Sequence, residues 1–443
     1  MNPVRLALSL FAAAVLAAPL TGSSVSAQSN EQFIPSFSYR TGPFAPNGIP
    51  FADGFIDYLK MVNARDGGIN GVRISFEECE TAYNTDRGVE CYERLKSRGI
   101  TAVVPLSTGI TYALIPRTRA DRIPMLTSGY GRSDASDGRV FPWVFTMPAT
   151  YWAQADAIIQ YIAQREGGVQ NLRGKKIAFV FHDSAFGREP IPMLEVLARE
   201  YGFEITQFPV TPPGAEQRSI WLRIGRQLRP DWTIMWGWGI MNPTAIQEAA
   251  AVGFPRDRFI GVWWSGSEQD VVPVGDQARG YLAGNFHAPG TDFQVIRDIQ
   301  RLVVQPGQVT GDGRNVGTVL YNRGVVNAAI VVEAVRTAQA RFGNRVMNGE
   351  QVRWGFENLN LTPERLQQMG FAEFMPPLRM SCLDHEGGGQ LRIQQWNGQR
   401  WTWASEWITP NQQRIRPLYE SSAAAFAREN NITPRNCDTP DVL

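Results

Sequence analysis

Of the 443 residues only four are cysteine, three are histidine and four are lysine. His182, His287 and His385 are scattered along the chain, and the cysteine spacings are not those of metal ligands, so no metal centre is expected. Charge of either sign is not in excess: 43 Lys and Arg face 42 Asp and Glu. That balance gives no global field to hold a polyanion or an acidic membrane, which argues against a nucleic-acid partner. The preference for Arg over Lys points to no site. Walker loops, Gly-x-Ser-x-Gly elbows and His-Glu-x-x-His pairs are missing, and Gly129-Tyr130-Gly131 lacks the third glycine of a dinucleotide fingerprint. The sequence therefore calls for no cofactor and no catalytic residue. Adjacent carboxylates such as Glu77 and Glu78 point to opposite faces of a strand and read as a solvated surface.

With 43% hydrophobic and 19% charged residues the chain has enough apolar material for a large core. Arg5 precedes an apolar stretch, Leu6 to Ala18, followed by small residues ending Val25-Ser26-Ala27. The pattern is that of a cleavable secretory signal, residues 1–27, cut before Gln28. The stretch is well short of the ~20 residues a spanning helix needs, and no cysteine follows the cut to carry a lipid. In an oxidising compartment an even number of cysteines favours pairing. Of the three possible connectivities, proximity favours Cys79 with Cys91 and Cys382 with Cys437.

From residue 33 onward, short β-rich runs alternate with amphipathic stretches, the signature of parallel sheets with crossover helices. Strands are expected at Phe33–Tyr39, Val72–Phe76, Thr101–Leu106, Pro124–Ser128 and Val140–Met147, with a helix after Pro50 stopped by Gly67-Gly68. A second unit starts with the helix at Tyr151, and its strands are expected at Lys176–Phe181, Glu204–Phe208, Thr233–Trp236 and Phe259–Trp263. The run Gly280–Pro289 is again strand-like, and the helix marked by Val325, Ala328, Ala329, Val332 and Val335 returns to the first unit. Alternation around Asn397-Gly398 signals a hairpin, and Tyr419–Arg428 a terminal helix. The division expected is 28–149 plus 284–375 for one lobe and 150–283 plus 376–443 for the other.

Open α/β sheets bind ligands at the carboxyl ends of their strands. The loops there contain Ser107, Thr108, Thr127, Ser128 and Tyr130 in the first unit, and Phe186, Trp236, Trp238, Trp263, Trp264 and Glu268 in the second. Backbone amides and hydroxyls of the first set suit a carboxylate, and the tryptophans suit an apolar or aromatic group. One of each close tryptophan pair should point into the core, and helix capping is an equally good role for Ser107 and Thr127.

Taken in order, Thr41-Gly42-Pro43, the stretch Asn63-Ala64-Arg65-Asp66-Gly67-Gly68-Ile69-Asn70-Gly71, Ser107-Thr108-Gly109, Phe186-Gly187 and Asp384-His385-Glu386-Gly387 resemble a known family. It is that of the periplasmic solute-binding proteins of the branched-chain amino acid (Leu/Ile/Val-binding) type, which serve ABC importers. The resemblance implies an α/β, two-lobed type I periplasmic binding protein fold, each lobe a mainly parallel sheet flanked by helices, with a C-terminal hairpin and helix. It also implies capture of a small amino acid or related carboxylate or aromatic acid between the lobes, and delivery to an inner-membrane ABC permease. Ser107, Thr127 and Ser128 then match positions that grip the carboxylate and ammonium groups, and Glu268 matches the acid that receives the ammonium. Phe186 stands where the family usually has Tyr, which removes one hydroxyl. Two alternatives stay open: a ligand-sensing module for a membrane receptor, and an exported hydrolase using His182 and Ser184.

Overall fold

The computed structural model describes residues 30–438; the expected secretion signal and its cleavage point lie outside the described residues. In the first unit, Gln32–Phe33 pairs in parallel with Ile74–Ser75, and Ser36–Ser38 with Glu78–Glu80. The expected single strand Phe33–Tyr39 is divided because Pro35 has no N–H to give to a ladder. Thr101–Leu106 joins the sheet only through single parallel bridges on either side, Phe33 to Ile100 and Val103 to Met125. Met125–Leu126 pairs in parallel with Val144–Phe145.

The second sheet has seven strands, in the order Trp401–Trp403, Arg392–Trp396, Leu282–Asn285, Phe259–Gly261, Trp232–Trp236, Lys176–His182, Glu204–Val210. The last five run parallel to one another, and the terminal hairpin is added antiparallel at one edge. Ile177 to His182 are all buried, as a parallel strand covered on both faces requires. The hairpin closes over four residues between Trp396 and Trp401, with Asn397 Oδ1 accepting from the N–H groups of Gln399 and Arg400.

The first long helix, Ala45–Asp66, starts earlier than expected and takes in Pro50; it ends where Gly67 turns left-handed at φ 68°. It packs on the helix Val319–Phe342 at reciprocal glycines. A Cβ on Gly54 would lie 2.0 Å from the Tyr321 carbonyl oxygen, and one on Gly324 2.1 Å from that of Phe51. The bare backbones let the two helices touch.

The tail divides between the two units. Its hairpin extends the seven-stranded sheet, and the helix Gln412–Glu429 lies across both units: the Phe426 ring is 4.8 Å from that of Phe141 and the Ser422 hydroxyl is on Asp134, while the Tyr419 ring stacks on Trp152 at 5.6 Å and Arg414 pairs with Asp156 and Glu200. The buried face Ile415, Tyr419, Ala423, Ala427 finds its cover in residues of both units. Both expected disulfides are present, with Cα separations of 5.9 Å for Cys79–Cys91 and 5.7 Å for Cys382–Cys437. Among the described residues no helix is long and apolar enough to cross a membrane, and no group of three or more His, Cys, Asp or Glu is placed to hold a metal ion.

Candidate functional site

Loops from the carboxyl ends of both sheets meet around a cavity of about 20 Å³, room for roughly one water. The first unit contributes Tyr39, Tyr83, Leu106, Ser107, Thr108 and Tyr130; the second contributes Phe186, Trp238 and Trp264, with Tyr151 at the start of the helix Tyr151–Arg165. Seven of these ten residues are aromatic and none is charged. The Trp238 and Trp264 rings meet edge to face, 5.3 Å between centroids. Across the cleft, Tyr39 stands edge-on to Trp238 at 6.4 Å and Tyr130 lies 5.8 Å from Trp264.

The first-unit wall is held in costly backbone conformations. Tyr83 has φ 59° and Leu106 φ 51°, left-handed positions that cost of order 1–3 kcal/mol each away from glycine. The Leu106 N–H is fixed by the Tyr130 hydroxyl oxygen at 2.8 Å. Directly after it, Ser107 caps the helix Thr108–Asp121, its Oγ accepting from the Ile110 N–H at 3.4 Å. Ser107 thus caps a helix and also lines the cavity, beside that helix's electropositive end.

Burial raises the phenols of Tyr39, Tyr83, Tyr130 and Tyr151 well above their ordinary range, so all four are neutral hydroxyls. The Tyr39 hydroxyl and the indole N–H groups of Trp238 and Trp264 are buried without a hydrogen-bond partner. The Trp238 indole approaches the Tyr39 oxygen without reaching hydrogen-bond geometry. Each such orphan costs about 1–3 kcal/mol. Together they make a wall of ring faces and unused donors with no carboxylate in it.

Of the residues singled out from sequence, Ser107, Thr108, Tyr130, Phe186, Trp238 and Trp264 come together here. The other five do not line the cavity. Thr127 Oγ1 donates to the Phe145 carbonyl at 3.3 Å, and Ser128 Oγ donates to Asn327 Oδ1 at 2.7 Å. Trp236 packs edge-on against Tyr151 in the core at 5.4 Å, as Trp263 packs on Phe286 at 4.6 Å, leaving one indole of each pair for the cleft. Glu268 is committed elsewhere: its Oε2 accepts from the Val319 N–H at 2.9 Å, and burial pushes its carboxyl up to about 7. It caps the first turn of the helix Val319–Phe342 and does not line the cavity.

Sequence reasoning missed Tyr39, Tyr83, Leu106 and Tyr151 as site residues. Tyr39 stood in a strand-end loop and was within reach. Tyr83 sits in a turn with no motif, and Tyr151 reads as an ordinary apolar helix position.

Arg323 is fully buried 4.8 Å from the Trp264 ring, donating to the Trp263 carbonyl (2.6 Å), Asn285 Oδ1 (2.9 Å) and His287 Nε2 (3.2 Å). Burial lowers it to about 9, so it stays charged at neutral pH and braces the Trp263–Trp264 turn. The units are tied by polar bridges as well: Asn47 Nδ2 donates to Asp270 Oδ1 at 3.2 Å, and Glu189 accepts from Tyr112 and Ser133.

A hydrolytic triad is not assembled. His182 Nδ1 lies 2.8 Å from Ser184 Oγ, but the Asp183 carboxylate turns to Arg188, and burial pushes the imidazole down to about 4. Larger surface grooves, about 600 Å³ beside Arg341 and Trp354 and about 550 Å³ beside Phe141 and Phe426, share no residue with the cavity. The cavity is the candidate site because the carboxyl ends of both sheets converge on it.

The chain matches the family model of the periplasmic binding proteins over residues 31–400. No curated protein matches it. Among solved structures, one described as an ABC transporter permease from the Pseudomonas fluorescens group is 46% identical with a TM-score of 0.86, covering 92% of this chain and 99% of that one. A branched-chain amino acid ABC transporter from Thermus thermophilus with bound valine is 24% identical with a TM-score of 0.73, over 87% and 99% of the two chains. A solute-binding protein of an ABC transporter from R. palustris in complex with benzoate is 15% identical with a TM-score of 0.66, over 86% and 97%. The last two share the fold, the two-lobed type I arrangement described above. The chain belongs to the periplasmic binding protein family.

Proposed function

We propose that this protein captures a small organic acid with an aromatic or branched apolar body and no ammonium group, and delivers it to an inner-membrane ABC permease. The observation that carries the reading is the aromatic cavity with unused donors from both lobes and no carboxylate. An amino acid entering it would bury an ammonium with no counter-charge, since Glu268 is spent on Val319. A carboxylate would take the tyrosine and indole donors and the end of the helix Thr108–Asp121. A benzoate-bound relative of the same fold supports the choice. The cavity as closed is smaller than any such ligand, so entry requires the lobes to part, and ligand contacts with both lobes then favour the closed form. The lobes are 28–149 plus 284–375, and 150–283 plus 376–443, with the terminal helix packed across both. The working compartment is the periplasm, after removal of residues 1–27.

The test is a thermal-shift screen of residues 28–443 against benzoate, 4-hydroxybenzoate, branched aliphatic acids, valine, leucine and phenylalanine. A ligand that binds only the folded chain raises its melting temperature. Acids without an amino group are expected to do so; a shift with the amino acids alone overturns the proposal.

A further inference from the structure

We infer that Glu189 is the positioning residue that locks one lobe onto the other and couples closure to uptake of a proton, a role resting on the two-lobe capture proposed above. Glu189 follows the short helix Ala185–Arg188 that carries Phe186 into the cavity. Its Oε2 accepts from the Tyr112 hydroxyl at 2.5 Å and its Oε1 from the Ser133 N–H at 2.8 Å. Both donors belong to the first unit, Tyr112 on the helix Thr108–Asp121 and Ser133 in the turn after Met125–Leu126. The backbone carbonyl of Glu189 accepts the Trp152 indole N–H at 2.9 Å, and the Trp152 N–H in turn donates to Ser133 Oγ at 3.3 Å. Parting the lobes breaks both carboxylate bonds at once and returns the group to water.

The charges around it explain why a proton enters. Tyr112 faces it from its helix, Arg132 and Asp134 from the turn, and Tyr151 from the helix Tyr151–Arg165. Arg132 gives two hydrogen bonds to Asp134, at 2.9 and 2.6 Å, so that pair is close to neutral. Arg188, the neighbour in sequence, turns to Asp183. Arg132, the cation that faces Glu189 among the described residues, is offset by Asp134, and burial, the largest cause, pushes the carboxyl up to about 7 from an ordinary 4.5. Below about pH 4.5 both open and closed forms carry the proton. Between 4.5 and 7 only the closed form keeps it, and above 7 closure must bury a charge. Closure is therefore favoured by acid and weakens as pH rises through that window. Glu189 keeps some contact with solvent, so the closing equilibrium should change by about tenfold between pH 5.5 and 8.

Small-angle scattering of ligand-free residues 28–443 at pH 5.5 and pH 8 tests this without any ligand. The radius of gyration is expected to be larger at pH 8. Glu189→Gln, neutral at both values, should stay compact at both. Tyr112→Phe, which removes a bond favouring the charged carboxylate, should widen the difference. A wild-type radius that does not change with pH, or a change that survives in Glu189→Gln, overturns the inference. A chain that binds valine instead of benzoate defeats the ligand proposal and leaves this result standing.

Discussion

The indole rings of Trp238 and Trp264 meet at 85° with their centroids 5.3 Å apart, and neither N–H has a partner. They follow adjacent parallel strands, Trp232–Trp236 and Phe259–Gly261, so sheet register sets their spacing. Replacing either by Phe keeps a ring and removes one donor. Each of Trp238→Phe and Trp264→Phe should weaken acid binding about tenfold, near 1.4 kcal/mol. Calorimetric titration measures the loss, with a melting curve to show that the fold is kept.

Glu268 yields a prediction of the opposite kind. Its carboxyl, raised to about 7 in the folded chain, binds a proton there that the unfolded chain releases near 4.5. Its charge thus costs the folded state nothing below about 4.5 and an increasing amount up to 7. Glu268→Gln can still accept from Val319 and should leave ligand choice unchanged. Denaturant unfolding at pH 5 and pH 8 should show the variant close to wild type at the lower value and about 1–2 kcal/mol more stable at the higher.

At the helix crossing, Gly54→Ala would place a methyl 2.0 Å from the Tyr321 carbonyl oxygen. The two helices must then separate along their buried faces, at a cost of about 3 kcal/mol or more. The melting temperature should drop by several degrees, although Ala is intrinsically the better helix former at this mid-helix position.

The Cys382–Cys437 bridge spans 55 residues and pins the end of the tail after the terminal helix. Replacing both cysteines by Ser should cost about 2–4 kcal/mol in denaturant unfolding. The ligand cavity shares no residue with the bridge, so affinity should be unchanged.

The alternation of apolar runs made most of the second sheet legible, because a strand such as Ile177–Phe181 buried on both faces leaves a continuous apolar signature. The first sheet was legible only in outline. Pro35 divides one strand, and Thr101–Leu106 pairs through single bridges that leave no pattern of their own. At the site, the strand-end rule pointed to Ser107, Trp238 and Trp264, whereas the split between Trp263 and Trp264 is set by a tight helical turn after the strand Phe259–Gly261. The bond that holds Glu268 outside the cavity is not legible locally, because its partner, the Val319 N–H, lies 51 residues away. Tyr83 and Tyr151 reach the cavity only through turn geometry and the docking of two units, which no local spacing records.

The central claim is that the aromatic cavity selects an acid without an ammonium group. Calorimetric titration of residues 28–443 with benzoate and with phenylalanine, on wild type and on Trp238→Phe, tests it most directly. Benzoate should bind wild type and bind the variant about tenfold more weakly, while phenylalanine gives no heat. Phenylalanine binding as tightly as benzoate, or benzoate binding untouched by the loss of the Trp238 N–H, would contradict the account.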